Sequence, residues 1–176
     1  NAVVVNTAIG GSTNCPVHLT AIARHLGLEL SLQDWQDIGY DVPLLVNCQP
    51  AGKYLGEAFH RAGGIPGVIR ELLGAGRLHG DAMTVSGKSV AENQADVPEP
   101  DREVIYAYEK PMKEQAGFLV LSGNLFDAAL IKTCVISDEF RARYLAEPGN
   151  ENVFVSRVIV FEGPEDYRER LNDPSL

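Results

Sequence analysis

The sequence has 176 residues and a net charge of −9, from 15 basic against 24 acidic residues. Such a balance lacks the basic stripe that sequence-independent binding to nucleic acid requires, and no run of about 18 apolar residues is present to span a membrane. The content of 45% hydrophobic and 22% charged residues is typical of one sizeable globular core or two small ones.

The cysteines and the chain ends bear on the context of the protein. Three cysteines, Cys15, Cys48 and Cys134, lie far apart. Their odd number and wide spacing favour a reducing compartment, the cytoplasm, over a disulfide framework. The sequence opens inside an apolar run without an initiator methionine. We therefore expect it to be an internal piece of a longer protein.

The first 50 residues are predicted to alternate between strand and helix. Residues 2–5 and 42–47 are short apolar runs, and each predicts a buried strand. Between them the GGSTN turn precedes apolar residues at helical spacing, so Ser12 or Thr13 is predicted as an N-cap and Gly27 as the end of the helix.

Further helices are indicated by their capping residues. Ser31 followed by Asp34 predicts an N-cap with a capping acid three positions on. The Gly-Gly-Ile-Pro stretch places Pro66 in a first helical turn. Residues 83–93 predict a short strand followed by a capped turn or helix. The face of the Pro66 helix predicted to be buried consists of Val68, Ile69, Leu72 and Leu73.

A change of composition divides the chain. Residues 94–104 hold two prolines and four acids without apolar periodicity, and 96–103 is the predicted linker. The part after it, 104–176, is richer in predicted strands (GFLVLSGN, ALIKTCVI, VFVSRVIVF) and includes two helical segments (SDEFRARYLAE, GPEDYRERL). The fold class is α/β, with 1–95 as one part and 104–176 as a more β-rich second part.

The GGSTN turn is the first candidate for chemistry. Glycines between an apolar run and a helix start leave free N–H groups and the positive end of the helix dipole, which suit a carboxylate or phosphate. Ser12, Thr13 and Asn14 would add side-chain donors. The same residues fit an ordinary glycine turn with no ligand, since the spacing matches neither a P-loop nor a dinucleotide fingerprint.

Cys15 with His18, and His60 with Arg61, each allow a functional and a structural interpretation. Cys15 near a helix start, with His18 three residues on, would suit a nucleophile or metal ligand, although a cysteine there is more often a small packed residue. His60 and Arg61 precede a Gly-Gly turn and would suit binding of an acid, with the arginine as a carboxylate fork, or they are structural. Both alternatives stay open on the residues alone.

Taken together, the motifs carry a family resemblance. GGSTN, HRAGGIP, SGK, SGNLFD and FEGPEDY, in this order along essentially the whole chain, resemble the dihydroxy-acid dehydratase / 6-phosphogluconate dehydratase family. The second part is most similar to its sugar-acid branch, the xylonate and arabinonate dehydratases. The resemblance implies an α/β active-site domain that ends near residue 95, followed by the start of a β-rich, barrel-like domain.

The resemblance implies a hydro-lyase that converts an aldonic acid to a 2-keto-3-deoxy acid. It implies an iron–sulfur cluster, [2Fe–2S] or [4Fe–4S], and Mg²⁺, because a poor leaving group such as hydroxide needs a Lewis acid and the C2 proton becomes acidic only beside a neutralised carboxylate. The family's cluster-cysteine and serine motifs belong outside this chain. We therefore expect no catalytic residue and no metal ligand here, and an inactive piece in isolation.

What the resemblance implies for this chain is a wall of the substrate pocket. The substrate-binding residues would be Ser12, Thr13, Asn14 and His60, with Cys15 as packing. The expected partner is a small sugar acid, and the full-length protein is expected to be a homo-oligomer without nucleic-acid or membrane partners. The alternatives are a dihydroxy-acid dehydratase of branched-chain amino-acid synthesis, a noncatalytic anion-binding or assembly module, and a hydrolase using Cys15 with His18 or His60.

Overall fold

The computed structural model describes residues 1–125, 127–150 and 153–176. The chain divides into two compact units, Asn1–Ile136 and Ser137–Leu176. The described part of the first unit contains six α-helices, a two-stranded antiparallel sheet and a short 3-10 helix. In chain order these are α1 Ala2–Ala8, α2 Asn14–His25, α3 Leu32–Gly39, α4 Gly56–Arg61, α5 Gly64–Gly74, α6 Val90–Gln94, β1 Phe118–Leu121, β2 Ala129–Lys132 and the 3-10 helix Thr133–Val135.

The largest core cluster joins helices α1 and α5 to two extended segments. Burial of these apolar side chains removes them from water and is the main source of stability, worth about 1.5–3 kcal/mol for each fully buried large side chain. The cluster includes residues of α1 and also Val104 and Ile105, so segments that are far apart in sequence share the same core. Its buried members are Val4, Ala8, Val42, Leu45, Val46, Ala62, Val68, Leu72, Val104 and Ile105.

Two smaller clusters complete the core of the first unit. In one, Trp35 packs edge-on against Phe118 with ring centroids 5.6 Å apart, and Val3 contacts the pair. In the other, Leu44 packs with Ala116 and Cys134. The first of these attaches helix α3 to strand β1, and the second attaches the 42–47 segment to the chain that follows β2.

The predicted strand at residues 2–5 is wrong, because these residues form helix α1. Its backbone bonds are helical, with Ile9 N–H donating to the Val5 carbonyl at 3.1 Å. Val3 faces the Trp35 cluster while Val4 and Ala8, four residues apart, face the large cluster. Tertiary packing on two sides overrides the strand preference of the three valines, and so short an apolar run does not distinguish strand from helix.

The predicted strand at 42–47 is extended and buried but forms only single bridges. Leu44 bridges Lys113, and Val46 bridges Ile105, both antiparallel. Because consecutive residues bond to two different segments, no continuous ladder forms. The prediction of a buried extended segment is confirmed, and that of a regular strand is wrong.

The helix predictions from capping residues are confirmed. Helix α3 begins after Ser31, whose hydroxyl accepts a hydrogen bond from Asp34 N–H while the Asp34 carboxylate accepts from Ser31 N–H. The same reciprocal box starts α6 between Ser89 and Glu92. Helix α2 ends at His25, two residues before Gly27, which has a φ of +69°.

The segment predicted as a linker, 96–103, is part of the first unit and packs within it. Asp101 N–H donates to the Ala62 carbonyl at 2.9 Å. Pro100 is buried, and a Cβ built on Gly67 would lie only 3.1 Å from its Cβ. Here composition alone did not reveal the packing. The division of a longer protein into domains at this segment stays a prediction.

The strands predicted at GFLVLSGN and ALIKTCVI are confirmed as β1 and β2, which pair antiparallel with Phe118 opposite Lys132. The mixed α/β composition is thus observed in this unit. The second unit holds helices α7 Asp138–Tyr144 and α8 Pro164–Arg170. Its segment 153–161, predicted as a strand, is not in a regular strand. Residue 126 of SGNLFD and residues 151–152 lie outside the described residues.

Candidate functional site

The GGSTN turn connects helix α1 to helix α2. Gly10 N–H donates to the Thr7 carbonyl and Gly11 N–H to the Asn6 carbonyl, both at 2.8 Å, which closes the end of α1. Ser12 Oγ then accepts from Asn14 N–H at 3.1 Å. Thr13 is the N-cap residue of α2, but its side chain makes no capping bond. The N-cap prediction is therefore right about position, while the capping hydroxyl belongs to Ser12.

Both glycines of the turn are required by the space around them. Gly10 has a φ of +63°, and a Cβ there would lie 2.9 Å from Leu44 Cδ1. At Gly11 a Cβ would lie 1.9 Å from Asn6 Oδ1, a distance that real contacts do not reach. Because glycine lets the backbone approach the core this closely, the side chains of residues 12 and 13 lie where they do.

A cavity of about 510 Å³ opens beside this turn. Its lining combines a glycine backbone, two hydroxyl side chains, an amide and a single ammonium group. That mixture of donors and acceptors, in a volume within the usual range of small-molecule sites, suits a small polar ligand with a negative charge. The described lining residues are Gly10, Ser12, Thr13, Gln49, Pro50, Lys132 and Val135.

The ammonium group belongs to Lys132, the last residue of β2. Its Nζ donates to the Gly10 carbonyl at 2.6 Å, across 122 residues of sequence. This bond attaches the sheet to the GGSTN turn. Gln49 and Pro50 come from the loop after the 42–47 segment. The cavity thus joins three parts of the first unit that are distant in sequence.

Of the four predicted substrate-binding residues, the structure brings Ser12 and Thr13 to the cavity. Asn14 is exposed at the first position of α2 and is not among the described lining residues. His60 is exposed in the last turn of α4, also outside that lining. Arg61, considered as a carboxylate fork, forms an exposed ion pair with Glu57 one helical turn earlier.

Cys15 is a packing residue and does not belong to an assembled reaction centre. It is half-buried against the Trp35–Phe118 cluster, while His18 is exposed on α2. No hydrogen bond joins the two side chains among the described contacts. This placement supports the packing role expected for Cys15 and gives the cysteine hydrolase hypothesis no assembled nucleophile and base.

The three cysteines do not fit an iron–sulfur cluster. Each packs against a different core cluster: Cys15 with Trp35, Cys48 with the large cluster, and Cys134 with Leu44. Burial raises the pKa of the Cys48 thiol. It also raises that of Cys134, against the opposing effect of Lys132 and Lys113. Raised pKa values disfavour the thiolate that metal binding needs.

The described residues also offer no cluster of acids for a cation. Within the ranges that the structure describes, no group of three or more His, Cys, Asp or Glu side chains is arranged to hold a metal ion.

The helices of the described residues are all too short or too polar to span a lipid bilayer.

Sequence reasoning missed Gln49 and Lys132. The signal for Lys132 was present, because it is a charge inside ALIKTCVI, an otherwise apolar run predicted as a strand. Gln49 gave no comparable signal. Its position in the cavity follows from the path of the chain after residue 47.

Comparison with known proteins agrees with the motifs. The family model described as "Dihydroxy-acid/6-phosphogluconate dehydratase N-terminal" matches residues 1–93. D-xylonate dehydratase of Caulobacter vibrioides is 57% identical over 176 residues, 100% of this chain and 29% of that protein. L-arabinonate dehydratase of Rhizobium leguminosarum bv. trifolii is 43% identical with the same coverage of 100% and 29%. Dihydroxy-acid dehydratase of Acidothermus cellulolyticus is 45% identical over 143 residues, 80% of this chain and 26% of that protein.

The chain thus spans less than a third of the length of these curated relatives. Its match to the family model nevertheless covers more than half of its own residues, including the GGSTN turn. The chain belongs to the dihydroxy-acid/6-phosphogluconate dehydratase family.

Proposed function

We propose that the full-length protein is a hydro-lyase that dehydrates an aldonic sugar acid of the xylonate or arabinonate type to a 2-keto-3-deoxy acid. The observation that carries this proposal is the 57% identity to a D-xylonate dehydratase over the entire chain. Identity to dihydroxy-acid dehydratases is lower, at 45% over 80% of the chain in one and 40% over 98% in another. The sugar-acid branch is therefore favoured over the dihydroxy-acid branch.

The cavity beside the GGSTN turn supports a polyhydroxy acid as ligand. Ser12 Oγ accepts one backbone hydrogen bond and keeps its own proton free to donate. Thr13 Oγ1 makes no capping bond, so its hydroxyl can both donate and accept. A polyhydroxy acid has hydroxyl groups that both donate and accept hydrogen bonds, so side chains that can also do both suit it as partners.

Within this proposal the chain's own residues bind and orient the substrate. Ser12 and Thr13 do so from the turn. Asn14 and His60 are proposed as further substrate-binding residues; they are not among the described lining residues, so we propose that they contact the substrate from outside that lining. No residue of this chain is assigned a catalytic role.

The cofactors proposed for the full-length enzyme are an iron–sulfur cluster and Mg²⁺, with all ligands outside this chain. When bound, they would supply a Lewis acid for the departing hydroxyl and a positive charge for the carboxylate. The packing of the three cysteines in three different core clusters supports the proposal that the iron–sulfur ligands lie outside this chain.

The remaining proposals concern context. We propose a homo-oligomeric protein of the cytoplasm, in which 1–95 completes an α/β active-site domain and 104–176 begins a barrel-like domain. The match of an N-terminal family model to residues 1–93 supports the first boundary. The strands β1 and β2, both after residue 104, support the second part.

The test is turnover by the full-length protein, purified with its cofactors under anaerobic conditions. We expect formation of a 2-keto-3-deoxy acid from D-xylonate or L-arabinonate, detected as its semicarbazone, at a higher kcat/KM than for 2,3-dihydroxyisovalerate. Ser12→Ala and Thr13→Val should raise KM, whereas Ser156→Ala, at an exposed serine of the second unit, should not. A preference for 2,3-dihydroxyisovalerate would favour the dihydroxy-acid branch, and no product from any acid would favour a noncatalytic module.

A further inference from the structure

We propose that Lys132 is the carboxylate anchor of the cavity, the residue that holds the acid group of the substrate. The inference rests on the proposed function, since it assigns one end of a sugar acid to one residue. It is carried by the position of the ammonium group, its surroundings and the way its backbone is fixed.

The ammonium group is the single formal charge among the described residues that line the cavity. Lys132 is half-buried and forms no ion pair within the described ranges. An ammonium group carries three donors. One is used on the Gly10 carbonyl at 2.6 Å, and a carbonyl leaves the positive charge uncompensated. Two donors thus remain for an anion in the cavity.

The backbone of Lys132 is held on both sides. In the sheet it pairs with Phe118 of β1, whose side chain lies in the Trp35 cluster. The next residue, Thr133, is buried, and its hydroxyl lies 2.7 Å from the Gly117 carbonyl and 3.0 Å from that of Gln115. The other end of the Lys132 side chain is held by the bond from Nζ to the Gly10 carbonyl, so the ammonium group loses less freedom when it binds a ligand, which raises affinity.

The positive charge of Lys132 would add to the charge proposed for Mg²⁺ in neutralising the carboxylate of the substrate. Five of the seven described lining residues are exposed, so the ammonium group would bind a carboxylate as a partly hydrated pair, through its charge and its two remaining donors. The hydroxyls of Ser12 and Thr13 on the same cavity add neutral donors, so the carboxylate would bind at the end of the cavity nearest the turn.

A second lysine nearby provides a matched control. Lys113 Nζ donates to the Cys134 carbonyl at 3.1 Å and the Ile136 carbonyl at 3.4 Å. Like Lys132 it is a lysine bound to backbone carbonyls beside Cys134. Unlike Lys132 it is not among the described lining residues. Removal of its charge should therefore perturb local structure without affecting the recognition of a carboxylate.

The experiment compares two nonreactive ligands of the full-length holoenzyme. A 3-deoxy pentonate has no C3 hydroxyl to lose, and its carboxamide has the same shape without the charge. In Lys132→Met we expect binding of the acid, measured by calorimetry, to weaken about 10- to 100-fold, as for loss of a hydrogen bond to a charged group, while the amide changes by less than about threefold. Lys132→Arg should retain part of the preference for the acid, and Lys113→Met all of it.

If Lys132→Met weakened binding of the acid and of the amide equally, Lys132 would only stabilise the turn, and the proposal would be wrong. Unchanged binding of both ligands would also overturn it. A measurement on the wild-type enzyme covers the case in which the variants do not fold. Acetylation of Lys132, followed by mass spectrometry, should be slowed by the acid and not by the amide. Absence of turnover with all sugar acids would refute the proposed function alone, since both binding measurements would still test the anchor.

Discussion

The substitution Gly11→Ala tests the close packing beneath the GGSTN turn. A Cβ at this position would lie 1.9 Å from Asn6 Oδ1, 2.6 Å from Asn6 Cγ and 2.9 Å from the Asn6 carbonyl oxygen. Asn6 is 6% exposed, so its side chain has no solvent to move into. Part of the clash is with backbone, which can be relieved only by moving the end of α1 or the start of α2.

Overpacking of a buried site by one methyl group costs about 1–3 kcal/mol, and more where backbone must shift. We expect about 3 kcal/mol for Gly11→Ala because both side chain and backbone are in the way. For a unit of this size each kcal/mol lowers Tm by roughly 2–4 °C, so thermal unfolding followed by circular dichroism should show a Tm lower by about 6–12 °C. The matched control is Gly74→Ala in α5, where a Cβ meets nothing within 4 Å; it should leave Tm unchanged or raise it slightly.

A second substitution separates the two sources of the clash. Asn6→Ala removes Oδ1 and also removes Nδ2, which is buried without a hydrogen-bond partner among the described residues. In the Gly11→Ala background it should recover at least about 1 kcal/mol of the loss. A Gly11→Ala protein that melts within about 2 °C of the wild type would show that the turn does not rest on Asn6, and the placement of Ser12 and Thr13 argued from it would be wrong.

Four further predictions concern α3, the cysteines and iron binding. Hydrogen bonds from the side chain and backbone of Ser31 lower the pKa of Asp34, so the stability that they add is present above the ordinary pKa of about 3.9 and is lost as pH falls through the lowered value. In Ser31→Ala, an NMR titration should find that pKa raised, with a loss of about 1 kcal/mol in urea unfolding; an unchanged pKa would contradict the capping box. Trp35→Ala should cost about 3–5 kcal/mol, and the wild-type fluorescence should be blue-shifted because this sole tryptophan is fully buried against Phe118. Cys134, buried and with a raised pKa, should react with iodoacetamide only on unfolding, and the isolated chain should bind no stoichiometric iron after anaerobic reconstitution.

The parts of the fold that the sequence predicted are those in which local chemistry and tertiary packing agree. The capping boxes at Ser31 and Ser89 require two residues three apart and little else, and both are formed. The strands β1 and β2 were predicted from apolar runs, of which Phe118 and Leu130 pack in the Trp35 cluster. The prediction for the run at 2–5 failed because a short apolar segment that is buried on two sides fits a strand as well as a helix.

The site could be predicted only in part, for a similar reason. The glycines and hydroxyls of GGSTN are adjacent in sequence, so their shared turn could be recognised, and Ser12 and Thr13 do line a cavity. Lys132 and Gln49 reach that cavity from 122 and 39 residues beyond Gly10. Contacts over such separations depend on the assembled core and leave no periodic signal. His60 was predicted from its neighbours, which fixed its helix but not the direction of its side chain.

Helix α2 illustrates a limit of periodicity that bears on the whole chain. The apolar residues that predicted it, Val17, Ile22 and Leu26, are 68%, 56% and 70% exposed, while Cys15 and Leu19 on another side pack against the Trp35 cluster. A helix with apolar residues on both sides is typical of one covered on both sides. The spacing of apolar residues along a helix reflects all the surfaces that cover it, including surfaces outside this chain. This chain covers 29% of its relatives, which are therefore more than three times as long. The helix was therefore predicted correctly, while the side that it buries against this chain had to come from the structure.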